Sequence, residues 1–431
     1  MEEALLTAVF VGVLFFLLSS GVWVGLALLG VALTGMALFT TRPAGDAMVT
    51  TIWTASSSWT LTALPLFIWM GEILFRTRLS EDLFKGLAPW MARLPGGLLH
   101  VNVAGCALFA AISGSSAATV ATVGKMSIPE LRARRYAERM NIGTLAGAGT
   151  LGLLIPPSII LIVYGVTVNE SIAQLFIAGI LPGIMLALLF SGYIAIAALV
   201  RPEIAPEKAA AVPFAEKLRN SLSLLPVILL ILAVLGSIYT GVATATEAAV
   251  LGVVGGLSLS ALQGSLTRES FVDSLMGATR TSCMIALILA GSAFLTLAMG
   301  FTGLPRKLAL AIDALELSPL TLILALTVFY IVLGCFLDGI STVVLTMAVV
   351  EPMIREAGID LLWFGIYLVI VVEMAQITPS VGFNLFVLQG MTGHDIGYIA
   401  RAALPMFFIM CLAVALVVAF PQVVTFLPSR L

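Results

Sequence analysis

The stretch Ala110-Ala111-Ile112-Ser113-Gly114-Ser115-Ser116-Ala117-Ala118-Thr119 decides how this chain relates to its solvent. It lies inside an apolar segment, 98–128, that Ser113-Gly114-Ser115-Ser116 interrupts. The arm before the interruption, 98–113, has 16 residues. As a helix it would reach about 24 Å, short of the roughly 30 Å of hydrocarbon in a bilayer. Two such arms joined at a polar tip predict a re-entrant hairpin. Backbone is tolerated at that depth only where protein or a water-filled cavity surrounds it. Residues 319–350 repeat the pattern, broken this time by Asp338-Gly339.

The rest of the chain is written for the same solvent. Of its 431 residues, 60% are hydrophobic and 10% charged, where a soluble protein carries roughly 25% charged residues. That excludes a cytosolic enzyme and a disordered protein. The net charge of −2, without a Lys/Arg-rich run, excludes a nucleic-acid partner. Cys106, Cys283, Cys335 and Cys411 lie in apolar runs without a CxxC pair and read as small core residues. The start, Met1-Glu2-Glu3, lacks the positive charge of a secretory signal, so the first apolar run is expected to stay as a membrane helix. Crossings are predicted near 4–20, 22–39, 50–75, 141–164, 172–200, 221–239, 243–264, 281–299, 362–388 and 397–420.

Charge placement orients them. From Arg76 to Arg139 there are nine basic residues (76, 78, 85, 93, 125, 132, 134, 135, 139) against four acidic ones (81, 82, 130, 138), on both flanks of the first hairpin. Cytoplasmic loops are enriched in Lys and Arg, so both ends of this hairpin are expected on the cytoplasmic side. Around the second hairpin, acidic residues outnumber basic ones, which places its ends outside. Each half then holds three crossings, a charged connection, a hairpin and two crossings. Ile155-Pro156-Pro157-Ser158 echoes Ile377-Thr378-Pro379-Ser380 at an offset of 222, and Ser113-Gly114 echoes Asp338-Gly339 at 225. Five crossings per half invert the second copy. The expected fold is therefore an all-α polytopic membrane protein: an inverted repeat of five crossings plus one re-entrant hairpin in each half. The halves are 1–200, with its hairpin about 98–128, and 221–431, with its hairpin about 319–350. A cytoplasmic linker, 201–220, joins them. Such repeats, with broken helices meeting at mid-depth, are the architecture of secondary transporters. Residues 76–97 and 300–318, mixed in charge, are expected as amphipathic arms along the surface.

The tips and breaks carry the candidate chemistry. At Ser113–Thr119 one arm ends, exposing carbonyls that suit a bare cation, and the next begins, exposing N–H groups that suit a carboxylate. The bland alternative is helix packing by small residues. Asp338 at membrane depth needs a partner, and an incoming Na+ is one; a structural Asp at the bend is the alternative. Pro156-Pro157 and Pro379 remove backbone donors and free carbonyls near Gly152, Leu153 and Ala375, unless they are ordinary kinks. Ser158, Thr378, Ser380 and Asn384 add side-chain oxygens. Glu72 reads as interfacial and Glu247 as solvated. Glu373 reads equally as a buried structural group or a coupling group. The sequence has no HExxH, GxSxG or GxxxxGK[ST] motif, so an enzyme or an ATPase is not expected.

The Gly-Ser-Ser-Ala-Ala-Thr tip, Leu153-Leu154-Ile155-Pro156-Pro157-Ser158, Asp338-Gly339 and Thr378-Pro379-Ser380-Val381-Gly382-Phe383-Asn384 together resemble the large membrane subunit (DctM type) of tripartite ATP-independent periplasmic (TRAP) transporters. The resemblance runs across essentially the whole chain. It implies a permease in the bacterial inner (cytoplasmic) membrane that pairs with a small four-helix membrane subunit and a periplasmic substrate-binding protein. It further implies import of an organic acid with Na+ by an elevator motion of a transport domain against a scaffold. The first Na+ site is then expected from Ser113, Gly114, Ser115, Ser116, Gly152, Ile155 and Pro156. The second is expected from Asp338, Gly339, Thr342, Thr378 and Pro379, where the family commonly has a double proline. Substrate contacts are expected from Ser116, Thr119, Ser158, Ser380 and Asn384. A stand-alone ion-coupled anion symporter and a channel remain as alternatives.

Overall fold

The computed structural model describes residues 2–77, 79–205, 213–303, 318–335, 337–378 and 382–430. Pro379 and Ser380, linker residues 206–212 and arm residues 304–317 lie outside the described residues. All regular structure among those described is helical.

The first half contributes α1 (Glu2–Ser19), α2 (Val24–Phe39), α3 (Ala44–Ser56), α4 (Ala63–Phe75), α5 (Leu79–Met91), α6 (Leu99–Ser113), α7 (Ser116–Ala133), α8 (Glu138–Gly149), α9 (Leu151–Leu154), α10 (Ile159–Val168) and α11 (Ile172–Val200). The second contributes α12 (Phe214–Ser221), α13 (Leu225–Tyr239), α14 (Ala245–Leu262), α15 (Arg268–Thr302), α16 (Pro319–Gly334), α17 (Gly339–Glu356), α18 (Leu361–Ala375), α19 (Phe383–Thr392), α20 (Ile396–Ala419) and α21 (Gln422–Thr425).

Five spans among the described residues are long and apolar enough to cross a membrane: α11, 214–239, α14, α15 and α20. Two bent pairs raise the number to seven. One is 138–154 with 159–168, bent by 41° where the prolines predict a break. The other corrects the sequence reading. The single crossing expected over 50–75 is two helices, α3 and 59–75, bent by 56°. Ser56-Ser57-Ser58 lies at that bend, where hydroxyls compete for backbone groups. α3 buries none of its residues. Two more predicted segments change length. The segment read as 281–299 is the 35-residue α15, about 52 Å long. The segment read as 362–388 divides into α18 and α19.

The helices pack in two sets. α15 runs along α2, α3 and α4, while α1 packs on α2, and α14 packs between α4 and α13. In the other set α6 and α7 pack on each other and on α8, α19 packs on α7, and α20 packs on α8. α16 and α17 pack on α18, and α11 packs on α18 and α20. Each half supplies members of both sets. The sets meet chiefly where α4 touches α6 and α15 touches α17. Of the expected amphipathic arms, 76–97 forms α5, which buries Leu83 and Phe84. α5 docks on α12 through the Trp90 Nε1 hydrogen bond to Ser221 Oγ at 2.8 Å.

Candidate cation and substrate site

The first tip is a two-residue reversal set by local chemistry. Gly114 closes α6 in the left-handed region (φ 57°, ψ 18°), its N–H donating to the Ala110 carbonyl at 3.2 Å. Ser115 opens α7, its Oγ accepting from the Ala118 N–H at 3.4 Å. Inside the turn, Ser113 Oγ lies 2.9 Å from Thr119 Oγ1, and Thr119 Oγ1 donates to the Ser115 carbonyl at 2.7 Å. Ser113, Ser116 and Thr119 are buried.

The 155–158 break faces this tip. α9 ends at Leu154, and Ser158 caps α10, accepting from the Leu161 N–H at 3.4 Å. The Ile159 N–H donates to the Gly114 carbonyl at 3.4 Å, tying break to tip. Gly152 is required here by proximity: a Cβ on it would stand 2.6 Å from the Ser115 carbonyl oxygen and 2.7 Å from the Ser116 Cα.

The second tip is built differently. Asp338 caps α17, Oδ2 accepting from the Ile340 and Ser341 N–H groups at 3.1 Å each. The Asp338 residue is exposed. Gly339 packs against the α18 side chain of Val372. Thr378 Oγ1 donates to the Ala375 carbonyl at 2.6 Å and lies 3.5 Å from Cys335 Sγ. Thr342 is fully buried, and its hydroxyl oxygen has no partner among the described residues.

Both tips open into one cavity of about 690 Å³. Ser113–Ala118 and Asp338–Ile340 line it, with Leu153, Ile159, Gln376 and Phe383 from the breaks. Gly71 and Glu72 of α4 and Thr281 of α15 form the far wall, so the cavity lies where the two packing sets meet. Its described lining contains two acids, Glu72 and Asp338, and no Lys or Arg. Glu72 pairs with Arg76 at 3.2 Å.

The structure brings part of the predicted set together and places other members elsewhere. Ser113, Gly114, Ser115, Ser116, Thr119 and Gly152 come together. Ile155 and Pro156 instead line a separate apolar cleft of about 240 Å³ with Ile180, Leu232 and Tyr239. The Ser158 hydroxyl bonds locally, donating to the Leu153 carbonyl and accepting from the Leu161 N–H. Asn384 is fully buried, with neither side-chain atom partnered among the described residues. Glu72, read as interfacial, borders the cavity. Glu247 is an exposed capping-box residue with Thr244. Gln376, the first residue of the 376–384 stretch expected opposite Asp338 and Gly339, lines the cavity.

A chain whose described residues are all helical in their regular structure, with several apolar helices of membrane length, is a multi-pass membrane protein. The family pattern of the tripartite ATP-independent periplasmic transporter, DctM component, matches residues 11–423, and the chain belongs to that family. It is 33% identical over 377 residues to the C4-dicarboxylate TRAP transporter large permease protein DctM of Pseudomonas aeruginosa, covering 87% of this chain and 88% of that one. It is 31% identical to the isethionate TRAP transporter permease protein DctMQ of Oleidesulfovibrio alaskensis, covering 85% of this chain and 58% of that longer protein. Among solved structures, the fold is similar to the Alcanivorax borkumensis YdaH transporter, with TM-score 0.66 at 14% identity over 92% of this chain and 97% of that one. The chain is a large permease of the TRAP transporter class.

Proposed function

We propose that this permease is a Na+-coupled secondary transporter, importing an organic acid that a separate periplasmic substrate-binding protein delivers. One observation carries the reading: two helix-reversing tips, each opposite a broken helix, open into one cavity between two packing sets. The first Na+ would take oxygens from the Ser113–Ser116 turn beside Gly152, the second from the Asp338 tip and Thr378. Two buried groups, Thr342 Oγ1 and the Asn384 amide, have no partner among the described residues, which leaves them free for a ligand. The acidic lining also fits. An organic anion there meets Glu72 and Asp338 without a Lys or Arg, and bound cations would offset that charge.

The parallel order of elements in the two halves supports the inverted repeat, and the two packing sets support an elevator: α6–α11 with α16–α20 would move against α1–α4 with α13–α15. Small organic anions in the names of two relatives favour an organic acid. The unmatched part of the longer relative leaves room for a fused small subunit, the partner expected here as a separate chain. The setting is the bacterial inner membrane. The test is reconstitution of this chain with its small subunit and binding protein in vesicles. Uptake should require both an inward Na+ gradient and the binding protein. Uptake without the binding protein indicates a stand-alone symporter, and non-saturating flux without a coupling ion indicates a channel.

A further inference from the structure

We propose that Glu373 supplies the anionic ligand of the first cation site, reaching it from the opposite half of the chain. The inference rests on the Na+-coupled reading above. Glu373 lies in α18 and is 1% exposed. Its Oε1 accepts from Ser116 Oγ at 3.1 Å, a contact spanning 257 residues of sequence. Oε2 is buried and has no partner among the described residues. No Lys, Arg or His forms an ion pair with it among those residues. A carboxyl group removed from water either takes up a proton or needs a positive partner, and one neutral hydroxyl is not that partner.

Ser116 is the first residue of α7, directly after the Ser115 carbonyl and within the turn that Gly152 approaches. The oxygens grouped there, from Ser113, Ser115, Ser116 and Thr119, are neutral. Hard cations take oxygen ligands, carboxylates among them, and Oε2 is the unpartnered oxygen of an acid that touches this set through Ser116. Each tip would then have one acid. Asp338 is built into the second tip by sequence, while Glu373 is brought to the first by folding.

The test uses the complete transporter in vesicles, with uptake measured against Na+ concentration at fixed pH, and Na+-dependent thermal stabilisation of the purified chain as a second readout. Glu373→Gln keeps the shape and the acceptor for Ser116 but removes the charge. Its half-saturating Na+ concentration should rise at least about tenfold, the scale on which loss of an ion-site partner acts. Na+ stabilisation should shrink in step. Glu373→Asp keeps the charge but withdraws it, and should fall between the two. If Glu373→Gln does not accumulate, the Asp variant decides, and an unchanged Na+ curve overturns the inference. A Gln variant with parental Na+ response, or one altered only in its pH dependence, also overturns it. A parent protein indifferent to Na+ overturns the Na+-coupled reading and this inference with it.

Discussion

The two tips face the same cavity and are made of different chemistry. The first is enclosed: a left-handed Gly114, a ring of buried hydroxyls and a break pressed against it through Gly152. Its arms α6 and α7 pack on each other. The second is open, and its cap is an exposed carboxylate. Its arms lean mainly on neighbours, α16 on α18, and α17 on α15 and α10. A reversal deep in a membrane protein therefore has two solutions. Small residues let backbone groups satisfy one another, or an Asp satisfies the free N–H groups of the next helix while one of its oxygens stays available. The first depends on close packing and tolerates no added volume. The second depends on one side chain and tolerates local change.

That contrast breaks most visibly at Gly152. Gly152→Val places methyl groups where the Ser115 carbonyl and Ser116 Cα already stand. It should cost about 1–3 kcal/mol of stability through overpacking and abolish uptake, as read by thermal unfolding in detergent and by vesicle transport. Normal Na+-driven uptake in this variant would show that the first tip is not tightly enclosed. At the open tip, Asp338→Ala should cost about 0.5–2 kcal/mol as a lost helix cap. Asp338→Asn should keep the cap to within a few tenths and still weaken the Na+ response. If Asn retains the parental Na+ curve, Asp338 is a cap alone and the difference between the tips is purely structural.

How much of this was legible follows the range of each interaction. Both tips and the 155–158 break could be read because Gly, Ser, Asp and Pro act on the backbone within a few residues. The Glu373–Ser116 contact joins residues 257 apart and leaves no local mark. The facing of Ile155 and Pro156 toward a second cleft depends on how α11 and α13 pack, and that too is invisible locally. Burial was the least legible property. α18 buries every residue but Leu362, whereas α13 buries only Val227, Val234 and Ile238, yet both read as largely apolar helices. With lipid as the solvent, a side chain facing outward is as apolar as one facing the core, so periodicity no longer marks the inner face. The bend at Ser56–Ser58 was read through for the same reason, since its apolar flanks masked it.

Ser158 and Glu72 sharpen the comparison with smaller effects. Ser158→Ala removes the cap of α10 and should cost about 1 kcal/mol, but its hydroxyl is already spent on Leu153, so the solute half-saturation should not move. A large rise would return Ser158 to the substrate site. Glu72 is the smallest case, because its pair with Arg76 is partly exposed, with side chains 31% and 32% accessible. Such a pair contributes at most about 1 kcal/mol, so Glu72→Gln should leave stability nearly unchanged. What it should change is the field in the cavity. With one of two acids gone, an anionic solute should half-saturate at lower concentration in dilute salt, and the difference should fade as ionic strength rises. Because Glu72 lies on the α4 wall and Asp338 on the open tip, the same salt-dependent gain from Asp338→Asn would mean that both sides of the cavity act on the solute. A gain from Glu72→Gln alone would mean that bound Na+ already neutralises the tip.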